Sequence, residues 1–211
     1  MDAICNTHRQ RHLGACGVKL EPRFKRDGVS VWIEAGYAIL VQDGHRGLTI
    51  ERLTKATCKT RGSFYHHFGS IDGFISHILK DWREQNTERI VRLAAPDPDP
   101  NHRRAVVNGE ALRLDARIET AIRRWAGADD QVLNACKLVD DRRIDVLIND
   151  LVAMTKASGK ELSLVEARLL AQFEYSAFVG AQILAPEGRL DTLHEIGLIY
   201  EKMLYAYLEH R

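Results

Sequence analysis

The sequence predicts an all-α protein, with a three-helix head at the N-terminus and a larger helical body behind it. Three observations favour this class. Apolar residues recur at three- and four-residue steps from residue 29 onward, which is the period of an amphipathic helix. No β-branched run is bounded by hairpin turns, so no strand is predicted. The segment APDPDP, residues 95–100, forbids a continuing helix and separates two helical stretches.

Charge is divided unevenly along the chain. Residues 1–68 carry 11 Lys/Arg against 6 Asp/Glu, whereas the remainder carries 19 against 23. A basic head on an acidic body suits phosphate binding better than a uniform globule does. Four widely spaced cysteines without a CxxC pair, a polar N-terminus and the lack of a long apolar run predict a reduced, soluble, cytoplasmic protein without a membrane span.

The head is predicted over residues 27–69, after a flexible basic tail at residues 1–26. Its three helices are predicted over residues 29–44, 49–57 and 60–66. Local signals mark their ends, because polar caps begin helices and glycines end them. These signals are Gly44 after the first helix, Thr49 and Thr60 before the second and third, Gly69 after the third, and Ser70 before the next helix.

The second and third helices of the head match a helix-turn-helix, because only a short break around Cys58 separates them. Phe64 and Phe68 are four residues apart and share a buried face, which leaves a polar face outside. A helix this short fits the major groove of DNA while its partner braces on the phosphates. The residues predicted to contact double-stranded DNA are Thr49, Lys59, Thr60, Arg61, Ser63, Tyr65 and His66. The alternative is a plain turn between core helices, which leaves Lys59 and Arg61 without a role.

The body is predicted over residues 70–211, with helices at roughly 70–93, 104–126, 129–136, 139–158, 163–185 and 189–209. The helix at 163–185 is apolar on nearly every side and must be covered all round. With the last helix it forms a hairpin, and two hairpins form a four-helix bundle. A homodimer is therefore predicted through Phe173, Ala177, Gly180, Ala181, Ile196, Ile199, Tyr200 and Met203. The alternative is that both helices fill the interior of one globule.

The segment LTIERLTKATCKTRGSFYHHFGSIDGF, residues 48–74, resembles the DNA-binding signature of the TetR family of bacterial transcriptional regulators. A weaker resemblance covers residues 123–143. The residues that carry the signature are Leu48, Thr49, Ile50, Ala56, Thr60, Gly62, Ser63, Phe64, Tyr65, Phe68 and Ser70. The resemblance implies a homodimeric repressor that reads a palindromic operator and is released by a small effector. It implies phosphate contacts for Thr49 and Tyr65, and base contacts for Arg61 and Ser63.

Three positions depart from the family pattern. Cys58 and Lys59 stand where the family usually has glycine followed by a small apolar residue, and Ile71 stands where it often has a phosphate-binding lysine. We expect the turn to be altered at Cys58, because cysteine lacks the freedom of glycine at positive φ. The implied effector pocket is expected to take a small hydrophobic or aromatic molecule. Its predicted lining is Trp82, Trp125, Leu147, Met154, Tyr175 and Phe178.

Other chemistry has weaker support. His66 and His67, with Cys58 nearby, could suggest a metal site, but adjacent histidines on a helix point apart and no third ligand has a sensible spacing, so neither a metal site nor a cofactor is predicted. No nucleophile elbow, HExxH or phosphate loop is present, which argues against an enzyme. The charges at residues 140–143 are predicted to be solvated surface pairs. An all-helical enzyme, a protein-binding scaffold and a thiol-sensing role for Cys58 remain the alternatives.

Overall fold

The structure, a computed structural model, describes residues 28–184 and 190–210. Contacts divide the chain after Leu79 into two compact units, named here the N-terminal unit and the C-terminal unit. Every regular element in the described residues is helical, which confirms the predicted all-α class. The tail predicted at residues 1–26 and the turn between the last two helices lie outside the described residues.

The N-terminal unit contains three helices and most of a fourth. They are α1 (Ser30–Asp43), α2 (Ile50–Thr57), α3 (Arg61–Phe68) and α4 (Ile71–Arg83), with a 3-10 turn (His45–Gly47) after α1. The predicted N-caps are confirmed. Thr49 Oγ1 accepts a hydrogen bond from Arg52 N at 3.3 Å, and Thr60 Oγ1 accepts one from Ser63 N at 3.1 Å. Each cap satisfies a backbone donor that the first helical turn leaves unpaired.

Aromatic rings fill the core of the N-terminal unit. Trp32, Phe64 and Phe74 are fully buried, and Phe68 is 6% exposed. The ring centroids lie 5.4 Å apart for Trp32 and Phe64, and 4.9 Å apart for Phe68 and Phe74, both in edge-to-face geometry. Such pairs attract each other beyond the effect of burial alone. The burial of Phe64 and Phe68 confirms the predicted inner face of α3.

In the described part of the C-terminal unit, α4 leads into a π-helical turn, which six further α-helices follow. These elements are the π turn (Glu84–Glu88), α5 (Arg89–Ala94), α6 (Pro100–Leu112), α7 (Ala116–Ala126), α8 (Asp130–Ala157), α9 (Leu164–Leu184) and α10 (Leu190–Glu209). The prolines interrupt the helix as predicted, since α5 ends before them and α6 starts at Pro100, capped by Asp99. No helix in the described part of the chain is long and apolar enough to cross a membrane.

Two predicted helix boundaries in the body are wrong. The helix predicted at 104–126 is broken into α6 and α7, because Asp115 leaves the helix and caps α7 by accepting from Arg117 N at 3.0 Å. The helices predicted at 129–136 and 139–158 form the single helix α8. No glycine or proline lies between residues 130 and 157, so nothing in the backbone stops that helix.

Helices α8, α9 and α10 pack around small side chains. Ala167 and Ala171 of α9 are fully buried beside Leu151 of α8 and Leu204 of α10. Small residues at a helix contact allow the two axes to approach closely. Tyr200 of α10 belongs to the same cluster, and its hydroxyl donates to the backbone oxygen of Leu170 at 3.1 Å.

Candidate DNA-binding surface and ligand cavity

The outer surface of the helix-turn-helix is basic. Residues 44–68 contain five Lys/Arg and one Glu. Arg61 is exposed and Lys59 is half-buried, and neither side chain makes an ion pair or hydrogen bond with another described residue. Arg52, by contrast, is paired with Asp43. Two cationic side chains beside α3 are therefore left unneutralised by the described residues.

The seven residues predicted to contact DNA all lie on this surface, which we name the basic edge. Thr49, Thr60, Arg61, Tyr65 and His66 are exposed, and Lys59 and Ser63 are half-buried. The hydroxyl oxygens of Thr49 and Thr60 accept the cap hydrogen bonds, so each hydroxyl proton is still available to donate to an outside acceptor. Tyr65 is 51% exposed while its ring contacts Phe64, at 5.8 Å between centroids.

The turn between α2 and α3 passes through Cys58 in the left-handed conformation. Its φ is 54° and its ψ is 35°, and it is the one described residue other than glycine with positive φ. The amide nitrogens of Cys58 and Lys59 both hydrogen-bond to the backbone oxygen of Thr54. The prediction that cysteine would alter the turn is not supported, because Cys58 adopts the conformation that favours glycine and accepts the strain.

Replacing Cys58 with glycine should stabilise the protein by about 0.5–1 kcal/mol relative to Cys58→Ala, because glycine removes the left-handed strain that a Cβ imposes. The larger conformational entropy of glycine in the unfolded chain keeps this increase in stability small. Urea unfolding of the two variants and the wild type measures the difference in the free energy of unfolding. Cys58→Ala is the matched control, since it keeps the Cβ and removes only the exposed thiol. Equal stability of the two variants would contradict the prediction.

The C-terminal unit contains a cavity of about 140 Å³. Its walls come from the π turn, α5, α6, α8, α9 and α10. Three of the six residues predicted for the effector pocket line it, namely Leu147, Tyr175 and Phe178. The other three, Trp82, Trp125 and Met154, are buried but do not line it. Trp82 instead donates its indole N–H to Glu119, and Met154 packs in the α8–α9–α10 cluster.

The residues predicted for a dimer interface fall into two groups. Ala177, Ile196 and Tyr200 line the cavity. Phe173, Ile199 and Met203 are exposed by 55%, 58% and 54%, while Gly180 is half-buried and Ala181 is buried. The exposed group is joined on α9 and α10 by other large apolar side chains: Val165, Leu169, Leu198 and Tyr207. One face of these two helices is thus left uncovered in the single chain.

A buried ionic network borders the cavity. Glu119, 3% exposed, accepts hydrogen bonds from Trp82 Nε1 at 3.0 Å, Arg123 Nε at 3.0 Å and Arg143 Nη1 at 2.9 Å. Burial by itself raises the pKa of Glu119, but the attraction and hydrogen bonds of Arg143, then Arg123 and Trp82, leave that pKa below its usual value. The carboxylate is therefore ionised and held between two guanidinium groups.

Tyr175 connects this network to the cavity wall. Its hydroxyl donates to Asp140 Oδ1 at 2.6 Å and accepts from Arg123 Nη2 at 2.7 Å and Arg143 Nη1 at 3.1 Å. The prediction that residues 140–143 form solvated pairs is wrong for Arg143, whose side chain is 13% exposed and bound to Glu119. Sequence spacing could not reveal this network, because its members come from α4, α7, α8 and α9.

No group of three His, Cys, Asp or Glu side chains in the described part of the chain is arranged to hold a metal ion. The nearest sequence candidate, His66 and His67 on α3, has ring centroids 5.3 Å apart. Cys58 is exposed and Cys136 is buried, and both are free thiols. Burial raises the pKa of the Cys136 thiol to about 11, so this thiol is neutral.

The architecture is shared with known transcriptional regulators. Regulatory protein TetR from Rhodobacter sphaeroides has a TM-score of 0.67 and 21% sequence identity, over 82% of this chain and 96% of its own. The reduced form of NemR from E. coli has a TM-score of 0.67 and 18% identity, over 83% and 96%. A TetR-like transcriptional regulator from Rhodococcus sp. RHA1 has a TM-score of 0.58 and 15% identity, over 82% and 96%.

No protein-family model matches the chain, and no curated protein matches it in sequence. The structural likeness spans nearly the whole length of the compared regulators at identities of 15–21%. The chain therefore has the fold of TetR-family transcriptional regulators, with a helix-turn-helix unit followed by an all-helical unit. The likeness predicted from residues 48–74 is confirmed at the level of the fold.

Proposed function

We propose that the protein is a sequence-specific DNA-binding transcriptional regulator, a repressor that a small molecule releases from its operator. The observation that carries the proposal is the basic edge. It places unneutralised cations on the exposed side of a two-turn helix whose other side is anchored by buried aromatic rings. A helix-turn-helix in this fold needs those two sides to hold α3 in a DNA groove.

Each residue of the basic edge has a proposed role. Arg61 and Ser63, on the first turn of α3, read base edges in the major groove, since an arginine fork matches the acceptors of guanine. Thr49 and Tyr65 donate hydroxyl protons to phosphate oxygens, and Thr60 sets the start of α3. Lys59 adds a cationic contact to the DNA backbone and His66 adds a hydrogen bond from its imidazole, and such contacts contribute affinity without sequence information. This regulator would act in the cytoplasm, where its DNA is.

A second copy of the chain completes the DNA-binding protein in this proposal. One helix-turn-helix reads only a half-site, so a palindromic operator requires two copies related by two-fold symmetry. The uncovered apolar side chains on α9 and α10, among them Phe173, Ile199 and Met203, are the proposed contact between the copies. Large exposed apolar patches of this kind mark interaction surfaces.

The cavity in the C-terminal unit is the proposed effector site. It lies in a mostly apolar interior and has a few polar groups on its wall, which is typical of small-molecule sites. A bound effector lowers the affinity for the operator only if it binds the DNA-free state of the dimer more tightly. The cavity and the basic edge are in different units, so the two activities can be measured independently.

The Arg61→Ala variant should lose about 10- to 100-fold in affinity for the selected operator and much less on random duplex, because a base contact is worth about 1–3 kcal/mol. Lys59→Ala should weaken both duplexes similarly and reduce the slope of log affinity against log salt by about one. The operator is first selected from a random duplex pool with the wild-type protein. Gel shifts at two salt concentrations then measure both variants.

Lys137→Ala is the matched control, because Lys137 is an exposed cation of α8 outside the basic edge. It should bind both duplexes like the wild type. A selected site with two-fold symmetry and half-sites roughly 34 Å apart would support the dimer. Equal losses of Arg61→Ala on operator and random duplex would refute base reading, and salt-insensitive or absent binding of any duplex would refute the function.

A further inference from the structure

The wall of the cavity is mostly apolar but contains buried polar atoms without hydrogen-bond partners in the described residues, namely both amide atoms of Asn86 and one carboxylate oxygen, Oε2, of Glu174. Val107, Leu147 and Phe178 are among the apolar walls. Asn86 also lines the cavity and is 3% exposed, and neither its Nδ2 nor its Oδ1 has a hydrogen-bond partner in the described part of the chain. Buried amides are nearly always paired, so an unpaired donor and acceptor on a cavity wall indicate a partner from outside the chain.

Asn86 lies at the centre of the π-helical turn Glu84–Glu88. Single π-helical turns inside α-helices are frequently found at functional sites. Hydrogen bonds from Arg143 hold the groups next to the Asn86 side chain in place. Arg143 Nη2 donates to the backbone oxygen of Asn86 at 3.4 Å, and Arg143 Nε donates to Thr87 Oγ1 at 2.9 Å. The backbone around Asn86 is thus tied to α8, while its side-chain amide remains without a partner.

The charges on the cavity wall are already balanced. Arg143 is paired with Glu119 at 2.9 Å. Glu174 accepts from Arg104 Nη2 at 2.5 Å through Oε1, which balances its charge, while its Oε2 has no hydrogen-bond partner in the described residues. No other charged residue lines the cavity. A ligand that carries a net charge would enter this interior without a free counter-charge, which is costly in a low-dielectric site. The wall therefore favours a neutral ligand.

We infer that the cavity binds a neutral molecule the size of one substituted ring, whose carboxamide-like group pairs with the Asn86 amide while its apolar body contacts Val107, Leu147 and Phe178. An amide edge both donates and accepts, so it complements Nδ2 and Oδ1 together. A dry apolar cavity of roughly 150 Å³ in another protein holds benzene, which sets the scale of the ligand. Ligand binding in this cavity does not depend on the proposed function; only the statement that the ligand is the effector rests on it.

The experiment uses benzamide as the probe, with ethylbenzene and benzoate as comparison ligands, in calorimetric titrations of the full-length protein without DNA. The wild type should bind benzamide at least tenfold more tightly than either comparison ligand. Asn86→Leu should lose at least tenfold in benzamide affinity and should not lose ethylbenzene affinity. Its ligand-free melting temperature should rise, because the substitution replaces two unpaired buried polar atoms with an apolar group of similar size.

Thr120→Val is the matched control. Thr120 is 3% exposed and its hydroxyl oxygen lacks a partner in the described residues, but the residue does not line the cavity. This variant should melt no lower than the wild type and bind benzamide equally well. A second variant, Asn86→Asp, keeps the shape of the side chain and removes its donor. It should prefer benzamidine to benzamide, the reverse of the wild type.

The inference would be overturned if the wild type showed no preference for benzamide over ethylbenzene. That result is expected if only water forms hydrogen bonds with the Asn86 amide. Unchanged benzamide binding in both Asn86 variants would also overturn it. The gel shifts with wild-type protein test DNA binding separately. Duplex binding without benzamide binding would remove only this inference, whereas benzamide binding without duplex binding would keep the site and remove the regulator function.

Discussion

Replacing Glu119 with alanine should destabilise the protein by about 3–5 kcal/mol, because it leaves two buried guanidinium groups without their shared carboxylate. Glu119 is 3% exposed and receives hydrogen bonds from Trp82, Arg123 and Arg143. Arg143 keeps Thr87 and Tyr175 as partners, but both are neutral and cannot offset its charge. Urea unfolding followed by circular dichroism at pH 7 measures the loss.

The matched control for Glu119 is Glu110→Ala. Glu110 also pairs with two arginines, Arg89 and Arg113, but their side chains are 44% and 75% exposed. Exposed ion pairs contribute little, so this variant should lose less than about 1 kcal/mol. If both variants lose the same amount, the network around Glu119 contributes no more than a surface pair.

The effect of Glu119 should also depend on pH. Its pKa is lowered in the folded protein, whereas a glutamate in an unfolded chain titrates near about 4.3. A group whose pKa is lower in the folded protein than in the unfolded chain stabilises the fold. This stabilisation is fully present at a pH above the pKa of the unfolded chain, and it is lost as the pH falls through the pKa of the folded protein. The difference in the free energy of unfolding between the wild type and Glu119→Ala should therefore be largest at neutral pH and should decrease below about pH 4. A difference that does not change with pH would contradict the ionised network.

Replacing Gly73 with alanine should destabilise the N-terminal unit by about 3 kcal/mol, since overpacking that moves the backbone is among the costlier substitutions. A Cβ at this position would lie 2.0 Å from the backbone oxygen of Phe68. That oxygen cannot rotate away, because it accepts a hydrogen bond from Ser70 N at 2.8 Å where the chain turns from α3 into α4. Urea unfolding monitored by tryptophan fluorescence measures the loss.

Gly62→Ala is the matched control within the same unit. The nearest atom to its added Cβ would be Thr60 Oγ1 at 3.8 Å, which is an ordinary contact. Alanine favours a helix over glycine, so this variant should gain up to about 1 kcal/mol. If Gly73→Ala leaves the free energy of unfolding unchanged, the first turn of α4 can shift to accommodate the added Cβ without destabilising the unit.

The helix-turn-helix could be predicted well because its signals are local. Thr49 and Thr60 cap the backbone three residues ahead, and Gly69 ends α3 with a φ of 70°. Each of these depends on one or two neighbouring residues, which a sequence displays directly. The spacing of Phe64 and Phe68 likewise predicts the buried side of α3, since the period of a short helix is enough to place them.

The cavity could be predicted only in part. Helical periodicity identifies buried positions such as Trp82 and Met154, but it does not tell whether a buried side chain meets another residue or an empty space. The π turn has no recognisable sequence pattern, so the sequence alone does not place Asn86 on the cavity wall. The rule that charged residues are solvated fails for Arg143, because its partners Glu119 and Tyr175 come from distant parts of the chain.

The π turn also sets the register of the long helical segment that contains it. Trp82, Asn86, Ile90 and Ala94 are all buried and lie four residues apart. In a regular α-helix each step of four residues rotates by about 40° beyond a full turn, so three steps would carry Ala94 about 120° away from Trp82. The wider turn absorbs part of this rotation. The number of residues in this segment, and not only their identity, therefore determines which side chains face inward, and a single deletion between residues 84 and 88 would redirect every side chain up to the prolines.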